Sequence, residues 1–272
     1  AVPGYTTRII AAPTLNDNGT EDNTSDDYYE VTITNTQETT TFEVDKAWVN
    51  ADGSTTVKTT STNTKTGQVT VTETTKKADG SKEVVKTVTN KDGSGSITET
   101  ETAKDGSRES TETKIEAGGK VSEISATSTS ADEKKTTTTN YGVNSKNSSK
   151  LTISAIATNE KTVKISGTIV AGGTKYWVTK IAANAMKGNK TVTKVIIGKG
   201  ITSIGKKAFS GDKKLKSITV SGSIKSIGNN AFKGIAKKAV IKVDTGSKST
   251  YKKIKKLINK SGIASTVKVK MK

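Results

Sequence analysis

The sequence predicts a mainly β chain, in which a repetitive β-meander or single-layer sheet precedes a short solenoid that is closed by a C-terminal helical cap. Two internal periods carry this prediction, a period of thirteen within residues 53–140 and a period of twenty-three from Val178 onward. Such fixed self-similarity indicates arrays of one supersecondary unit. The third observation is the composition: of 272 residues only 31% are hydrophobic and 4% aromatic, so conventional packing throughout the chain is not expected.

The first segment, residues 1–40, consists of two β-like stretches on either side of a loop rich in Asp and Asn. The stretch "VPGY" at Val2–Tyr5 and the alternating "VTITNT" at Val31–Thr36 resemble the C-terminal part of a Cna B-type β-sandwich, a stalk unit of Gram-positive surface proteins. "TFEVDKAWVNADG", from Thr41 to Gly53, looks like the first strand of the next such domain. The resemblance implies that the chain begins within a domain.

Proteins of the Cna B type often form an isopeptide bond between a Lys of the first strand and an Asn of the last, promoted by a buried acid. By position in the motif, Asn35 matches the bonding Asn of the first domain, and Lys46 matches the bonding Lys of the second. The expected acid before "VPGY" is absent, and "TVTN", which ends at Asn90, is the nearest second closing strand. Ordinary strand residues are therefore the favoured interpretation of both positions.

Residues 41–140 are predicted to form a Thr-rich β stalk. Its turn glycines recur at an interval of fourteen positions and then four intervals of thirteen, and "ADE" at Ala131–Glu133 falls where a seventh copy would start. These glycines are Gly53, Gly67, Gly80, Gly93, Gly106 and Gly119. Most turns read Asp-Gly or Gly-Gly, which predicts type I′ hairpins with positive φ at both central residues. The Thr-rich stretches between the turns favour strands, because Thr is β-branched.

The stalk has almost nothing to bury. Between Gly53 and Asn140 only ten residues are Val, Ile, Leu, Met or aromatic, which excludes a sandwich core. Two alternatives remain: an extended meander with both faces in water, or a disordered spacer. The fixed period and the turn residues favour the meander. In such a sheet, cross-strand Thr–Thr and Glu–Lys pairs, at roughly 0.2–1 kcal/mol each, would replace a core.

Residues 141–177 are predicted to be a linker followed by an N-terminal β cap. "YGVNSKNSSK", which begins at Tyr141, has the composition of a linker. Three β-like runs follow, "KLTISAIAT", "KTVKISGTIV" and "KYWVTKIA".

The last segment, residues 178–272, contains three gapless repeats of equal length, at 178–200, 201–223 and 224–246. Equivalent apolar positions should stack from coil to coil and bury one continuous core. These ladders are Ile181, Ile204 and Ile227; Ala185, Ala208 and Ala231; Met186, Phe209 and Phe232; Val195, Ile218 and Ile241; and Ile197, Val220 and Val243.

At these residues the sequence resembles a known repeat. "ITSIGKKAFSGDKKLKSITV", from Ile201 to Val220, is similar to the BspA-like, Treponema-type leucine-rich repeat, with Asp212 in place of the repeat Cys. The resemblance implies a leucine-rich-repeat solenoid in a secreted or cell-surface protein with a role in adhesion or wall association. After the repeats, the apolar residues of "TYKKIKKLINKSG" have helical spacing, and Gly262 should end this cap helix.

The charge is divided unevenly along the chain. Residues 1–141 contain 15 Lys or Arg and 23 Asp or Glu, a net charge of −8, whereas residues 142–272 contain 29 Lys and 3 acids, a net charge of +26. Lysine without arginine suits diffuse attraction to a polyanion better than bidentate recognition. Nucleic acid is not expected as a partner, because the basic half lacks arginine and interleaved aromatic residues.

We therefore predict a surface that binds a protein or an anionic glycan or teichoic acid on a cell surface. The alternative, a solvated face that keeps the solenoid soluble, is open. The lysines expected to bind a polyanion crowd one repeat and the cap helix: Lys206, Lys207, Lys213, Lys214, Lys216, Lys252, Lys253, Lys255 and Lys256.

The composition also limits the chemistry. With no Cys and no His, the chain has neither a disulfide framework nor a histidine-based triad or zinc site. The abundant stalk glutamates lack a pocket that would shift their pKa values apart, and no register of the acidic loop that begins at Asp17 supplies both the central Gly and the terminal Glu of a calcium loop. No catalytic residue, metal or cofactor is therefore predicted, and no apolar run is long enough to span a membrane. The sequence predicts a non-enzymatic extracellular adhesin displayed on a stalk, or alternatively a structural stalk or wall-anchoring module without a host ligand.

Overall fold

A computed structural model describes residues 8–9, 14–16, 28–35 and 40–272, with side chains from residue 49 onward. Strands account for 49% of the chain and helical residues for 5%, which confirms the mainly β prediction. The chain divides into two compact units, residues 1–122 and 123–272.

The first unit is an antiparallel meander. Strands β1 and β2 both pair with β3, and from β3 to β9 each strand pairs antiparallel with the next. The strands are β1 (Arg8–Ile9), β2 (Thr14–Asn16), β3 (Tyr28–Asn35), β4 (Thr40–Val49), β5 (Thr55–Asn63), β6 (Val69–Lys76), β7 (Lys82–Thr89), β8 (Gly95–Thr102) and β9 (Arg108–Ile115). No apolar side chain within residues 50–122 is buried. The predicted sheet with two wet faces is therefore observed instead of the disordered spacer.

Polar cross-strand pairs hold this sheet together. The hydroxyl oxygens of Thr56 and Thr75 lie 2.9 Å apart across β5 and β6. The Thr111 hydroxyl donates to Oε2 of Glu99 on β8 at 2.9 Å, and Lys77 Nζ lies 3.1 Å from Glu101 Oε1. Each pair contributes roughly 0.2–1 kcal/mol, so stability comes from their number.

The turns differ from the predicted type I′ geometry. In the first of them, Gly53 N donates to Asn50 O at 2.9 Å, and Gly53 has a φ of 77°. A type I′ turn would also give Asp52 a positive φ, which it does not have. The turn is a three-residue loop in which only the glycine is left-handed. An L residue with a Cβ pays a steric cost in the left-handed region, so Asp52 stays outside it. In the conformation that Asp52 adopts instead, its Oδ1 accepts hydrogen bonds from the Oγ and N of Ser54, at 2.6 and 2.9 Å.

The second unit contains the remaining strands and one helix. Its elements are β10 (Val121–Thr129), which begins just before the boundary, β11 (Thr136–Asn144), β12 (Asn147–Thr158), β13 (Thr162–Ile165), β14 (Thr168–Ala171), β15 (Thr174–Ile181), β16 (Lys194–Ile197), β17 (Ser203–Ile204), β18 (Ser217–Ser221), β19 (Ser226–Ile227), β20 (Val240–Asp244), α1 (Lys248–Asn259) and β21 (Lys268–Met271). The stretch from Tyr141, expected to be a linker, instead forms the hairpin of β11 and β12. Polar composition misled the prediction, because strands that border on water need few apolar residues.

The solenoid has two parallel sheets in which the predicted ladders stack. In one sheet β12, β15, β17 and β19 follow one another, with Ile181, Ile204 and Ile227 in register. In the other, β13, β16, β18, β20 and β21 are all parallel, and Val195, Ile218 and Ile241 are paired. The rings of Phe209 and Phe232, which belong to one predicted ladder, stack with their centroids 5.5 Å apart. The buried core of the unit therefore runs along the coils.

The helix α1 caps the coils as the apolar spacing predicted. It begins after Ser247, whose Oγ accepts a hydrogen bond from Thr250 N at 3.2 Å, and it buries Ile254 and Ile258. After the helix, the unpredicted strand β21 pairs with β20, and the hydroxyl of Tyr251 donates to Val269 O at 3.0 Å. The sheet thus continues by one strand after the helix.

Candidate polyanion-binding surface

The nine lysines predicted from the sequence fall into three separate groups. Lys206 and Lys207 lie in the turn after β17, the group of Lys213, Lys214 and Lys216 lies just before β18, and the other four lie on α1. Eight of the nine are exposed and Lys207 is half-buried. The sequence therefore located positive charge correctly on the surface, but it did not identify one concave site.

The local fold explains the two turn groups. Lys207 has a φ of 57°, and the equivalent residues of the neighbouring coils, Asn184 and Asn230, have φ values of 61° and 58°. This left-handed residue starts the turn that carries the chain from one sheet to the other. The buried Leu215 anchors the other end, so Lys214 and Lys216 on either side of it point to water.

The helical lysines point outward for the same reason. Because Ile254 and Ile258 are buried, the two lysines before Ile254 and the two after it occupy the solvent side of α1. Lys255 Nζ lies 5.7 Å from the ring centroid of Tyr251, a cation–π distance. Lys255 also lies at a shallow pocket of about 410 Å³ with Asn259 and Val267.

A lysine-lined groove lies on the outward face of the sheet β16–β18–β20, and the sequence did not predict it. Its volume is about 310 Å³, and none of the nine predicted lysines lines it. The groove is lined by Lys194, Ile196, Ile197, Gly198, Lys199, Ser217, Thr219, Ser221, Lys242, Asp244 and Lys272. We call it the sheet groove.

Strand register builds the sheet groove. Thr219 lies between Ile196 of β16 and Lys242 of β20, and Ser217 lies beside Lys194. These residues alternate with the buried ladder, so their side chains stand on the opposite face of the sheet. The outward face of these strands therefore combines one apolar side chain, Ile196, with hydroxyl and ammonium donors that are suited to anionic oxygen atoms.

The acids of the basic half do little to oppose an anion at this groove. Asp244 lines it, but its Oδ2 lies 2.9 Å from Lys272 Nζ, which neutralises the carboxylate locally. Asp212 is fully buried in the core, where its Oδ1 accepts a hydrogen bond from Asn189 N at 2.9 Å and its Oδ2 has no partner among the described residues. Burial raises the pKa of Asp212 to about 7, so a large part of its charge is absent at neutral pH.

Strand alternation in the sequence could have located the groove. Every second residue of "KVII", "SITVS" and "VIKVD" belongs to a ladder, so the residues between them face outward. Lys272 could not be found in this way, because it follows the unpredicted strand β21.

The remaining candidates stay predictions. Asn35 on β3 lies opposite Thr40, and Lys46 on β4 lies opposite Lys58; their side chains, like the whole acidic loop from Asp17, lie outside the described residues. Within the described part of the chain no cluster of three Asp or Glu residues could hold a metal ion. No helix there has the length and apolar character needed to cross a membrane.

The repeats, ladders and cap helix of this unit agree with one known family. Residues 177–260 match the family model of the BspA type Leucine rich repeat region (6 copies). This confirms, for that segment, the resemblance stated from the repeats that begin at Val178. No curated protein matches the chain.

Three solved structures are similar to part of the chain. A leucine-rich repeat protein from Bacteroides capillosus ATCC 29799 is 17% identical, with 49% of this chain and 94% of that chain covered and a TM-score of 0.39. A leucine rich cell surface protein from Faecalibacterium prausnitzii A2-165 is 21% identical, with coverage of 49% and 41% and a TM-score of 0.33. The T. pallidum leucine rich repeat protein is 19% identical, with coverage of 48% and 60% and a TM-score of 0.32.

Proposed function

We propose that the chain is part of a non-enzymatic bacterial cell-surface protein whose basic leucine-rich-repeat segment binds an anionic glycan on a host or cell surface. The sheet groove carries this proposal, because it combines four lysines with hydroxyl donors on a rigid parallel sheet. The match of residues 177–260 to the BspA type repeat supports the repeat class, which typically serves as a non-enzymatic binding module.

The charge balance supports a polymeric anion as the ligand. Residues 142–272 have 29 lysines and three acids, and two of these acids are the paired Asp244 and the buried Asp212. The nine lysines of the turns and helix would attract a polyanion over a distance of about 8 Å, the Debye length at physiological salt. The sheet groove would then hold a segment of it at short range.

The acidic first part of the chain acts as a stalk in this proposal. We assign residues 1–40 to the end of a Cna B-type sandwich, residues 41–140 to the spacer, residues 141–177 to the β cap and residues 178–272 to the binding solenoid. The wet meander supports the assignment of the spacer, because a sheet held by cross-strand pairs adds length without requiring a core. The proposed location is extracellular, on the cell surface or cell wall.

A second candidate function is wall anchoring through teichoic acid, without a host ligand. Its support is the use of lysine alone in the basic half, since a compact ammonium suits phosphate groups along a flexible polymer. Both candidates use the same surface.

Binding of the purified full chain to isolated cell walls separates the two candidates. Binding that disappears after teichoic acid is stripped from the walls supports anchoring. Binding to a host glycoprotein that persists in salt supports the adhesin. Equal loss of binding to every polyanion by a few hundred millimolar salt would overturn both, because it would leave only nonspecific attraction.

A further inference from the structure

Trp177 stands on the outer face of β15 with 48% of its surface exposed. Its neighbours in register are Thr168 on β14 and Lys150 on β12. Val170, which is 57% exposed, lies two pairs further along β14, opposite Lys175. We call these five residues the Trp177 platform.

The platform is fixed in place by the core beneath it. Tyr176 and Val178, on either side of Trp177, are buried, so β15 is held against the solenoid. Hairpin pairing with β14 and parallel pairing with β12 fix the strand from both sides. The strand that carries the indole is therefore held on the surface of the solenoid, so binding does not have to order the backbone at Trp177.

A single exposed apolar residue is ordinary, but two exposed apolar residues with lysines beside them are not. Trp177 and Val170 are diagonal neighbours on the exposed face of the β14–β15 pair, where the exposed Lys150 lies beside Trp177 and the exposed Lys175 lies opposite Val170. The strands β12, β14 and β15 contain no Asp or Glu that would repel an anion. The platform thus combines a flat aromatic face, cationic donors and the hydroxyl of Thr168.

These features fit an acidic sugar. The C–H face of a pyranose carries partial positive charge and stacks on the negative face of an indole. A ring carboxylate would accept hydrogen bonds from Lys150 or Lys175, and Thr168 would bond a ring hydroxyl. We propose that the Trp177 platform binds a uronic-acid unit of an acidic polysaccharide. This inference rests on the proposed function and narrows it, because a ligand without sugar rings would gain nothing from the platform.

The test compares two polymers of equal charge, polygalacturonate and polyglutamate, of which only the first has pyranose rings. In the full chain at 0.15 M salt, Trp177→Ala should weaken binding of polygalacturonate roughly tenfold, the cost of losing an aromatic anchor. Its affinity for polyglutamate should not change. Trp177→Phe, which keeps an aromatic face, should retain most of the affinity. That result would show that the weaker binding of Trp177→Ala does not come from misfolding.

A fluorescence measurement gives a second readout. The chain has two tryptophans, so Trp48→Phe leaves Trp177 as the only indole. Its emission should shift to the blue on addition of polygalacturonate and stay unchanged with polyglutamate. Lys150→Ala with Lys175→Ala should lower the affinity for polygalacturonate more than the matched pair Lys237→Ala with Lys238→Ala, which lies in a turn elsewhere on the solenoid.

The outcomes separate this inference from the function on which it rests. If the unaltered chain binds both polymers and Trp177→Ala weakens neither, or weakens both alike, the platform is overturned and polyanion binding stands. If the chain binds neither polymer, polyanion binding itself is overturned, and the platform with it.

Discussion

Four residues other than glycine have a positive φ within the described part of the chain, and one of them stands where the stalk repeat has glycine. Glu133 has a φ of 56° and donates its N–H to Ser130 O, as Gly80 donates to Lys77 O in an earlier copy. Replacing Glu133 with Gly should stabilise the hairpin of β10 and β11 by about 1 kcal/mol, because glycine has no Cβ to clash in this conformation. Hydrogen exchange of the amides of β10 and β11 measures the change.

The reverse substitution is the matched control. Gly80 has a φ of 88° and open space around it, so Gly80→Glu tests the backbone conformation alone. We expect faster exchange in β6 and β7, equivalent to a loss of about 1–2 kcal/mol. Unchanged exchange in both variants would contradict the conformational explanation of the repeat glycines.

The buried Asp212 makes the solenoid sensitive to pH. Its pKa is about 7 in the folded chain, against an ordinary value of 3.8, because burial disfavours the charged carboxylate. The folded state therefore holds a proton that the unfolded state releases. The contribution of Asp212 to the free energy of unfolding is therefore fully present below about pH 4 and is lost as the pH rises through 7.

Replacing Asp212 with Asn removes this pH dependence. Urea unfolding at pH 8 should show that the variant is more stable than the unaltered chain by about 2 kcal/mol, because an unpaired buried charge is then absent. The difference should be smaller at pH 4.5. The control is Asp244→Asn, which removes a carboxylate from the exposed ion pair with Lys272. In this variant the fall in the free energy of unfolding between pH 4.5 and pH 8 should persist. A wild-type stability that is flat from pH 4.5 to 8 would contradict a buried, neutral Asp212.

At the scale of elements, adjacent coils of the solenoid approach so closely that the turn position of Gly228 has no room for a Cβ. A Cβ on Gly228 would lie 2.5 Å from the N atom of Lys206 in the preceding coil. Gly228→Ala should therefore destabilise the solenoid by about 2–4 kcal/mol, because backbone atoms would have to move apart. Thermal unfolding followed by circular dichroism measures the loss.

Gly246→Ala is the control for this substitution. Gly246 has no atom within 4 Å of its Cβ position and no positive φ. Its substitution should change stability by less than about 0.5 kcal/mol. Equal effects of the two variants would contradict the close approach of the coils.

The sequence predicted those elements whose pattern repeats. The ladder residues pair in the predicted registers, and Ile254 and Ile258 of the cap helix are buried, because burial imposes a period that can be counted. Three features have no such signal. The strand β21 occurs once, the hairpin from Tyr141 lies in polar sequence, and the loop type of the turns depends on φ values that Asp-Gly permits in more than one way.

The sequence predicted the residue type of the candidate site, lysine, but not the positions that form the sheet groove. Lysine density correctly indicated a positively charged surface, but a count along the chain favours clusters such as Lys213 and Lys214 over lysines of separate coils. The sheet groove brings together Lys194 and Lys242, which come from different coils and meet only through strand pairing. Trp177 likewise lies in the β-like run "KYWVTKIA", and only the structure places its side chain on the outer face.

At the scale of the whole molecule, acidic and basic residues are segregated along the chain. Residues 1–141 have a net charge of −8, and residues 142–272 have a net charge of +26. This division suits the proposed pair of roles, because an acidic stalk does not compete for the polyanion that the solenoid is proposed to bind. The part of the attraction that net charge alone supplies should weaken steadily as salt shortens the Debye length from about 8 Å at 0.15 M to about 3 Å at 1 M.

The most direct test of this account is the affinity of the full chain for inorganic polyphosphate of defined length at 0.15 M salt. The triple variant Lys194→Gln, Lys199→Gln and Lys242→Gln removes three charges from the sheet groove. The control Lys187→Gln, Lys233→Gln and Lys238→Gln removes three exposed charges outside it. The account predicts at least tenfold weaker binding for the groove variant, about 1.4 kcal/mol, and a much smaller loss for the control. Equal losses in the two variants would contradict it, because binding would then follow net charge alone.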